Sequence, residues 1–488
     1  MKKLRLWALA ALFIGLFVTA CSSDEDEPQP APVTPVVELA AVSADGYTLT
    51  FTLTPRNASR AAWLCVPGGE PIPSAAEVLD RGSEVSASAP STLTAAELEP
   101  ATEYVIVAAV SHNGKSASEE LRMTTSEASA SSESHALIVF MQGDNGLETF
   151  MDTNLQRIVT AYYDLPADSK VVIFYDRGNY TRLTQLYMDD GMAKQRLIKE
   201  YNVNLSTVDP AFVKEVFELI KQEVSAESYG LILSSHGGGW VPSEIYDSYL
   251  FYDWGSVQRL SLNPSPLFYG QDGYDCMEIP DLVEAISTFH YDYILFDACF
   301  MASVEGLYDL RHSADYLIAS SAEVLGDGFP YQTIIPLLFR PDHGLRRSCE
   351  AFMELYEGRS GTISLVEAAK LDGLAAAMRK VVAANDGTIN VEQIQGYESF
   401  PIHLYYDLEQ HVEQMTDDEA LREEFRAALS EALPFTGHTP TFISTAYGQQ
   451  TIALPRSCGL TCHVEREEFP ETHAAYLQTA WAQAVGAR

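Results

Sequence analysis

Basic residues are scarce in this chain. Its 488 residues include 31 Lys and Arg against 68 Asp and Glu, which gives a formal net charge of −37. A surface of this sign repels nucleic acid and anionic membranes and attracts basic partners, although a well-solvated surface with no such partner has the same composition. With 47% hydrophobic residues the chain can bury a sizeable core, and its length indicates two or three domains at about 150 residues each.

Long hydrophobic runs are missing beyond residue 20, which excludes a later membrane span. Residues 1–20 have the pattern of a signal peptide, with Lys2, Lys3 and Arg5 ahead of 14 mostly apolar residues, Trp7 to Ala20. That run is shorter than the roughly 20 residues that cross a bilayer as a helix.

The end of this segment resembles the bacterial lipobox. In Val18-Thr-Ala-Cys21 the cysteine would become the lipidated first residue, whereas the alternative is an ordinary signal peptide cleaved nearby. Ser22 to Glu27 resembles the acidic export tag of Bacteroidetes surface lipoproteins, and residues 21–35 form an acidic and proline-rich tether. We therefore expect a lipid anchor at Cys21 in the outer membrane, on the cell surface of a Gram-negative bacterium.

Residues 36–125 predict a small all-β sandwich. Short strands such as Tyr47–Leu53 and Tyr104–Val110 alternate with turn residues, and Leu98-Glu-Pro-Ala-Thr-Glu-Tyr104 resembles the approach to a late strand of fibronectin type III domains. No catalytic constellation is present here, so this domain is interpreted as a spacer or adhesive module. Residues 126–134, rich in Ser, Ala and Glu, predict a linker.

Residues 135–345 predict an α/β domain, because apolar strands alternate with helical patterns. Such alternation favours a mostly parallel sheet with helices on both faces. The strands are predicted at 136–141, 171–175, 231–233, 293–296 and 316–320. Residues 346–488 are assigned to the same domain and are predicted to mix helices at 371–384 and 418–433, a strand near 459–464 and a closing helix at 473–485.

Two of these strands end in residues that carry chemistry. Tyr293–Phe296 is followed by Asp297-Ala-Cys299, and Leu231–Leu233 is followed by His236 in a glycine-rich turn. Functional groups of open α/β sheets collect at the carboxyl ends of parallel strands. If these strands are parallel neighbours, a thiol and an imidazole meet there as a nucleophile and its base. Each alone would more simply be a buried structural cysteine or a turn residue.

Taken together, these turns resemble the clostripain family of cysteine peptidases, relatives of caspases, gingipains and legumain. The matching parts are Ile138–Asn145, Ser235–Trp240, and Asp297–Met301 with Glu305. The resemblance covers residues 136–340 and, more loosely, a strand and final helix between 458 and 487. It implies a caspase-like sheet, a His236–Cys299 dyad, and an oxyanion hole made by the backbone N–H groups of Gly237 and Cys299.

The resemblance also implies a substrate preference. Family members cut after Arg or Lys, and Asp297 occupies the position of the acid that receives the basic side chain at P1, the substrate residue before the cut bond. Asp327 matches a second acidic position at the mouth of that S1 pocket. The alternatives are a helix N-cap for Asp297 and a turn aspartate for Asp327. If Asp297 only supports the fold, the primary specificity is a different one.

Self-processing is a further implication, because family members often mature by cleavage between the histidine and the cysteine. Arg259 is the only basic residue in that interval, so the Arg259–Leu260 bond is the predicted cut, although the segment could equally be a fixed substrate wall. No cofactor is required by this chemistry. Some members respond to calcium, and the acidic loops could bind it, but no stretch has EF-hand spacing.

The seven cysteines do not form a disulfide pattern. Beyond Cys21 and Cys299, five remain, an odd number. A zinc site at Cys458, Cys462 and His463 lacks a second ligand pair with suitable spacing, so no metal is predicted and these cysteines are interpreted as structural.

The sequence thus predicts a lipid-anchored cysteine endopeptidase with a basic P1 preference, acting on proteins or peptides. The alternative is an inactive surface protein that binds or adheres through its sandwich. The intact His236 and Cys299 argue against that alternative, since a drifted scaffold need keep neither.

Overall fold

The computed structural model consists of two compact units, Met1–Ala128 and Ser129–Arg488. The division lies within the predicted linker. The predicted signal peptide, Cys21 and Arg259 lie outside the described residues. None of the helices in the described part is long and apolar enough to cross a membrane. The structure describes residues 34–96, 98–126, 134–202, 205–242, 269–273, 275–385, 387, 389–400, 403–445, 448–468 and 470–487.

The first unit is an antiparallel β-sandwich, which confirms the predicted small β domain. One sheet has the order β1-β2-β5 and the other the order β4-β3-β6-β7. Buried residues of both sheets, such as Phe51 and Ile106, form one core, and the ring of Phe51 meets that of Trp63 edge-on at 5.0 Å. The elements are β1 (Val36–Ala44), β2 (Leu49–Arg56), β3 (Arg60–Pro67), α1 (Ala75–Arg81), β4 (Ser83–Val85), β5 (Ser91–Ala95), β6 (Glu103–His112) and β7 (Lys115–Thr124).

Tyr104 closes the entry to β6. Its hydroxyl accepts a hydrogen bond of 2.8 Å from the backbone N–H of Glu99, and its ring is buried in the sandwich core. A tyrosine near the start of a late strand that bonds back to the chain a few residues upstream is the tyrosine corner of immunoglobulin-type sandwiches. The resemblance of this segment to fibronectin type III domains stays a prediction.

The second unit is built on a nine-stranded mixed sheet, in the order β11-β10-β9-β8-β12-β15-β16-β17-β19. Its five central strands, β9, β8, β12, β15 and β16, are parallel to one another. The strands are β8 (His135–Gln142), β9 (Lys170–Asp176), β10 (Thr181–Asp189), β11 (Met192–Tyr201), β12 (Ser228–Ser234), β15 (Tyr291–Asp297), β16 (Ala314–Ala319), β17 (Thr362–Glu367) and β19 (Phe435–His438).

The prediction of a mostly parallel sheet was incomplete, because both edges are antiparallel. β10 and β11 form a hairpin at one edge, and β17 and β19 form the other. Asp190 and Gly191 connect the hairpin, with φ of 49° and 74°. An Asp-Gly pair with positive φ at both residues is the tight turn that matches strand twist. The Asp-Gly signal was therefore in the sequence, and the prediction missed it.

Helices cover both faces of the sheet, as predicted. Alternate residues of β8 show the division: Ile138 and Phe140 pack with α3, α4, α5 and α8, whereas Val139 and Met141 pack with α2, α6 and α7. The helices are α2 (Glu148–Ala161), α3 (Pro210–Glu223), α4 (Ile279–Ala285), α5 (Val304–Leu310), α6 (Tyr331–Leu338), α7 (Leu345–Tyr356), α8 (Leu371–Ala384), α9 (Leu408–Met415), α10 (Glu419–Ala432), α11 (Pro470–Tyr476) and α12 (Ala480–Val485).

The C-terminal third follows its prediction in part. The helix predicted at 371–384 has these bounds, and α10 begins one residue after its predicted start because Asp418 caps it. The closing helix predicted at 473–485 is instead two helices, since the hydroxyl of Thr479 accepts a hydrogen bond from Ala482 N and starts α12 anew. The short strands are β13 (Tyr269–Asp272), β14 (Asp275–Met277), β18 (Tyr406–Asp407), β20 (Thr441–Ser444), β21 (Gln450–Ala453) and β22 (Thr461–Cys462).

Candidate functional site

The pairing of β12 with β15 brings the imidazole and the thiol to the same edge of the sheet. The strands are parallel neighbours, with Ser234 opposite Asp297, so His236 and Cys299 each lie two residues beyond a matched pair. A Cβ atom added at Gly237 would lie 2.7 Å from the Cys299 carbonyl oxygen and 2.8 Å from the Ala298 Cβ. Only glycine fits where the two turns approach this closely.

His236 is held by a backbone carbonyl. Its Nε2 lies 3.2 Å from the carbonyl oxygen of Asn145, which can only accept, so Nε2 carries the proton and Nδ1 is left as the base. The Asn145 side chain is itself fixed, since its Nδ2 donates to Gln142 O, Gln271 O and Ser235 Oγ. Burial lowers the pKa of His236, while the bond to Asn145 raises it, and the net shift is downward.

The thiol of Cys299 is held in its protonated form. Its Sγ lies 3.7 Å from Val324 O and accepts a hydrogen bond of 3.4 Å from Val324 N. Burial raises the pKa of Cys299 well above its ordinary value, and the charge of Glu323 raises it further. In the described part of the chain this thiol makes no hydrogen bond with His236. The site thus holds a protonated thiol and, at pH 7, a neutral imidazole.

A cavity of about 210 Å³ opens beside the thiol. Its walls are largely apolar, and two acidic residues, Asp297 and Glu323, lie among them. Gly328, with φ of 64°, packs directly against Asp297. A Cβ atom added there would lie 2.6 Å from Asp297 Oδ2 and 2.9 Å from Asn154 Nδ2, so only glycine fits. The lining residues are Leu147, Phe150, Met151, Asn154, Ser234, Ser235, His236, Asp297, Ala298, Cys299, Glu323, Val324, Leu325, Gly326 and Thr445.

Asp297 is a buried acid with two hydroxyl partners. It is 7% exposed, and its Oδ2 accepts hydrogen bonds from Tyr331 Oη at 2.6 Å and Ser234 Oγ at 3.3 Å. Burial raises the pKa of Asp297 to about 6, while the two hydroxyls lower it. The carboxyl is therefore ionised at pH 7 and becomes neutral when the pH falls below about 6.

Asp327 is not part of the cavity wall that contains Asp297. Its carboxylate forms an ion pair of 2.8 Å with Arg359 and is 42% exposed, and its side chain does not line the cavity. Its backbone carbonyl accepts a hydrogen bond from Arg157, which also supports Asn154. The structure thus brings Gly237, Asp297, His236 and Cys299 together and leaves the Asp327 carboxylate outside this group.

Three lining or supporting residues were missed at the sequence level. Glu323 is 7% exposed and is held by Ser444 and Thr445. It follows the end of β16, so the rule about strand ends would have found it, but the prediction took Asp327 from the same loop. Asn154 and Tyr331 lie within the helices α2 and α6, and nothing in their local pattern marks them.

The C-terminal third braces both turns. The ring of Tyr405 stacks on Phe300 at 4.8 Å, and its hydroxyl donates to the carbonyl of Gly238. Thr461 N donates to Ala302 O at 2.9 Å, which attaches β22 to the turn after Cys299. This part of the chain, which had no predicted role, therefore fixes the loops that carry the thiol and the imidazole.

The structure places the cysteines apart from one another. Among the described residues no two cysteines form a disulfide. Cys462 Sγ lies 3.3 Å from His411 Nδ1, whereas His463 pairs with His473, so Cys458, Cys462 and His463 do not form a common ligand set. Glu305, quoted in the motif, is 1% exposed with its pKa raised to about 8 by burial, and it accepts a hydrogen bond from His463 N.

The role of Glu323 beside the thiol can be tested by alkylation. Replacing Glu323 with Gln removes the charge that raises the pKa of Cys299, so we expect iodoacetamide to modify Cys299 roughly two- to five-fold faster at about pH 7.5. The rate is measured by mass spectrometry of the Cys299 peptide. Asp327→Asn, which removes an exposed charge from the same loop, is the control and should leave the rate unchanged. Equal rates in all three proteins would contradict this account.

Comparison with known proteins agrees with this geometry. A model of the clostripain family matches residues 139–421, more than half of the chain. Clostripain from Hathewaya histolytica is 24% identical over 244 residues, which are 44% of this chain and 44% of clostripain, so the match spans less than half of that relative.

Two solved structures are similar over most of the second unit. The inactive zymogen of a C11 protease from Parabacteroides distasonis is 28% identical, with a TM-score of 0.64 over 72% of this chain and 99% of that one. A secreted C11 cysteine protease from Bacteroides thetaiotaomicron, solved with an irreversible peptide inhibitor, is 27% identical, with a TM-score of 0.63 over 72% and 98%. The chain described here belongs to the clostripain family of cysteine peptidases.

Proposed function

We propose that this protein is an endopeptidase that cleaves after arginine or lysine through Cys299 and His236. The observation that carries the proposal is the ionised, buried carboxylate of Asp297 in the wall of an apolar cavity beside the thiol. The methylene groups of a long basic side chain would pack on walls such as Phe150 and Leu325, and its cationic head would meet Asp297.

The reaction needs no group outside the chain. Nδ1 of His236 takes the thiol proton, and the thiolate attacks the substrate carbonyl carbon, whose C=O electron pair moves to oxygen. In this proposal the backbone N–H groups of Gly237 and Cys299 donate to that oxyanion, as the family resemblance implies. Collapse expels the amine, which receives the proton from His236, and water then hydrolyses the thioester. Asn145 holds the imidazole in the tautomer that this exchange requires.

A basic substrate side chain would also assist ionisation of the thiol. In the empty site Glu323 and Asp297 both raise the pKa of Cys299. A cation that enters the cavity offsets these charges, so it lowers the free energy of the thiolate at the moment when the substrate is bound. The site is thereby inert without its substrate and more reactive with it.

The activity test compares variants of the chain from Ser22 onward. We expect release from peptides with Arg or Lys at P1, much less with citrulline, Ala or Asp, and none with Cys299→Ala. His236→Ala should lose roughly 10²- to 10⁴-fold. Asp297→Asn should lower kcat/KM for arginine peptides by roughly 10²- to 10³-fold, because a cation would enter a site without its partner.

The matched control is Asp327→Asn, which we expect to change kcat/KM by less than about three-fold because its carboxylate is exposed and paired with Arg359. A large loss in this variant would restore Asp327 to the substrate pocket. No release from any peptide, with or without calcium and after trimming by trypsin, would favour the inactive binding protein instead.

The preference for arginine should depend on pH. Because the pKa of Asp297 is about 6, its carboxyl becomes protonated as the pH falls through 6 and no longer attracts a cation. We expect the ratio of kcat/KM for arginine to that for citrulline, a neutral isostere, to fall below about pH 6. Tyr331→Phe removes a donor that favours the ionised carboxyl, so the fall should begin at higher pH. A ratio that is flat between pH 5 and 8 would contradict the role of Asp297.

We further propose that Arg259 is the self-processing position and Cys21 the lipid anchor, on the sequence alone. A family member that cuts after basic residues can cut its own chain at Arg259, and this cleavage should be seen on a gel only in the active protein of the activity test.

The lipid anchor at Cys21 has its own test. A labelled fatty acid fed to the producing bacterium should appear on the full chain and be lost with Cys21→Ala. Equal labelling of both proteins would refute the anchor.

A further inference from the structure

Three potential metal ligands meet at the end of the sheet opposite the thiol. His135 is the first residue of β8 and Asp292 the second of β15, and these parallel strands flank β12. His343 lies in the loop between α6 and α7, and its imidazole contacts the Asp292 carboxylate. One ligand atom from each residue of this His135–Asp292–His343 cluster lies within 4.8 Å of the other two.

The distances within the cluster match a tetrahedral site. His135 Nδ1 lies 3.5 Å from Asp292 Oδ2, and His343 Nε2 lies 3.1 Å from the same oxygen. Zinc bonds to nitrogen and carboxylate oxygen are about 2.0–2.2 Å long, so neighbouring ligand atoms of a tetrahedron are roughly 3.3 Å apart. Two of the three edges are close to this spacing, and the third, between the two histidine nitrogens, is within 4.8 Å.

The second ring nitrogen of each histidine also has a hydrogen-bond partner. His343 Nδ1 lies 3.2 Å from the carbonyl oxygen of Leu338, which can only accept, so Nδ1 carries a proton and Nε2, which faces Asp292, is the nitrogen that can bind a proton or a metal ion. His135 Nε2 lies 3.1 Å from the hydroxyl of Tyr293, which can hold a proton there and leave Nδ1 as an acceptor. Outer partners of this kind orient histidines that bind metals.

Asp292 supplies an independent observation. Its Oδ2 is shielded from solvent, yet no donor points at it with hydrogen-bond geometry, although two ring nitrogens lie nearby. His343 Nε2 is the nearer of the two nitrogens, at 3.1 Å. A buried carboxylate oxygen this close to two ring nitrogens needs positive charge beside it, which a proton on a histidine or a metal ion can supply.

The backbone is strained at His343, one of the three residues of the cluster. His343 and Gly344 have φ of 56° and 49°, so two successive residues are left-handed, and for a non-glycine residue this costs about 1 kcal/mol or more. The surrounding structure keeps a histidine, rather than a second glycine, at this position. The strain is explained if the imidazole makes a contact that offsets it.

We propose that His135, Asp292 and His343 bind one zinc ion. Two imidazoles and one carboxylate favour zinc over calcium or magnesium, which prefer oxygen ligands. A water would supply the fourth ligand, and the hydrogen bond of 2.8 Å between the Ser228 hydroxyl and His135 Nδ1 would give way to the metal. The ion would join the starts of β8, β12 and β15 to the loop before α7, far along the strands from the peptidase site.

The test measures zinc binding directly. The chain from Ser22 onward carries Cys299→Ala, which removes the reactive thiol as a competing ligand, and is stripped of metal with a chelator. Isothermal titration with zinc chloride should show one tight equivalent that disappears in His343→Gln and His135→Gln. His290→Gln is the matched control, because His290 pairs with Asp315 at 2.9 Å on the surface nearby and should not affect binding.

A milder variant guards against misfolding. Tyr293→Phe keeps all three ligands and removes the outer hydroxyl, so zinc affinity should fall by roughly 10- to 100-fold while circular dichroism remains unchanged. The proposal is overturned if the parent protein binds no zinc, in which case the cluster holds only protons. It is equally overturned if the His343 and His135 variants keep the parent affinity, since the ion then binds elsewhere.

Discussion

The register between β12 and β15 is the constraint on which the site depends. Ser234 lies opposite Asp297, and both catalytic candidates follow at the same offset, His236 on one strand and Cys299 on the other. A shift of one residue would turn every side chain of one strand to the other face of the sheet. Both strands are buried on each face, so such a shift would force the side chains of one core into the packing of the other. The hydrophobic core therefore fixes the alignment of the chemistry.

Negative charge within the core gives the site its character. Asp297 and Glu323 are each 7% exposed, and both face the cavity next to the thiol. Burying ionised carboxyls is costly unless donors surround them, and hydroxyl and backbone donors do so here. The overall excess of acidic residues is a separate, solvated property of the surface. The acids that matter for chemistry are a few buried ones.

Sequence reasoning reached the central strands and the two turns because both rest on local patterns. Apolar runs predict the buried strands, and the residues that follow these runs predict the edge of the sheet where His236 and Cys299 lie. The edge strand β11 was missed because it is mostly polar and exposed and has no apolar run, although the Asp190-Gly191 pair indicates a hairpin. Tyr331 and Asn154 could not be found, because their contacts with the pocket depend on how helices α2 and α6 pack. Asp327 was assigned by motif, and its pairing with Arg359 depends on a contact 32 residues away in the chain.

The contacts of Tyr405 and Thr461 have a consequence for the order of synthesis. Domains generally begin to fold from the N-terminus while the chain is still growing. Here the turns at Gly238 and Phe300 are completed by residues more than a hundred positions later, and Ala302 by Thr461. The ribosome therefore has to deliver nearly the whole chain before the two turns are braced. A chain that is still being made therefore lacks the contacts that fix the turns of His236 and Cys299, and the site is completed only near the end of synthesis.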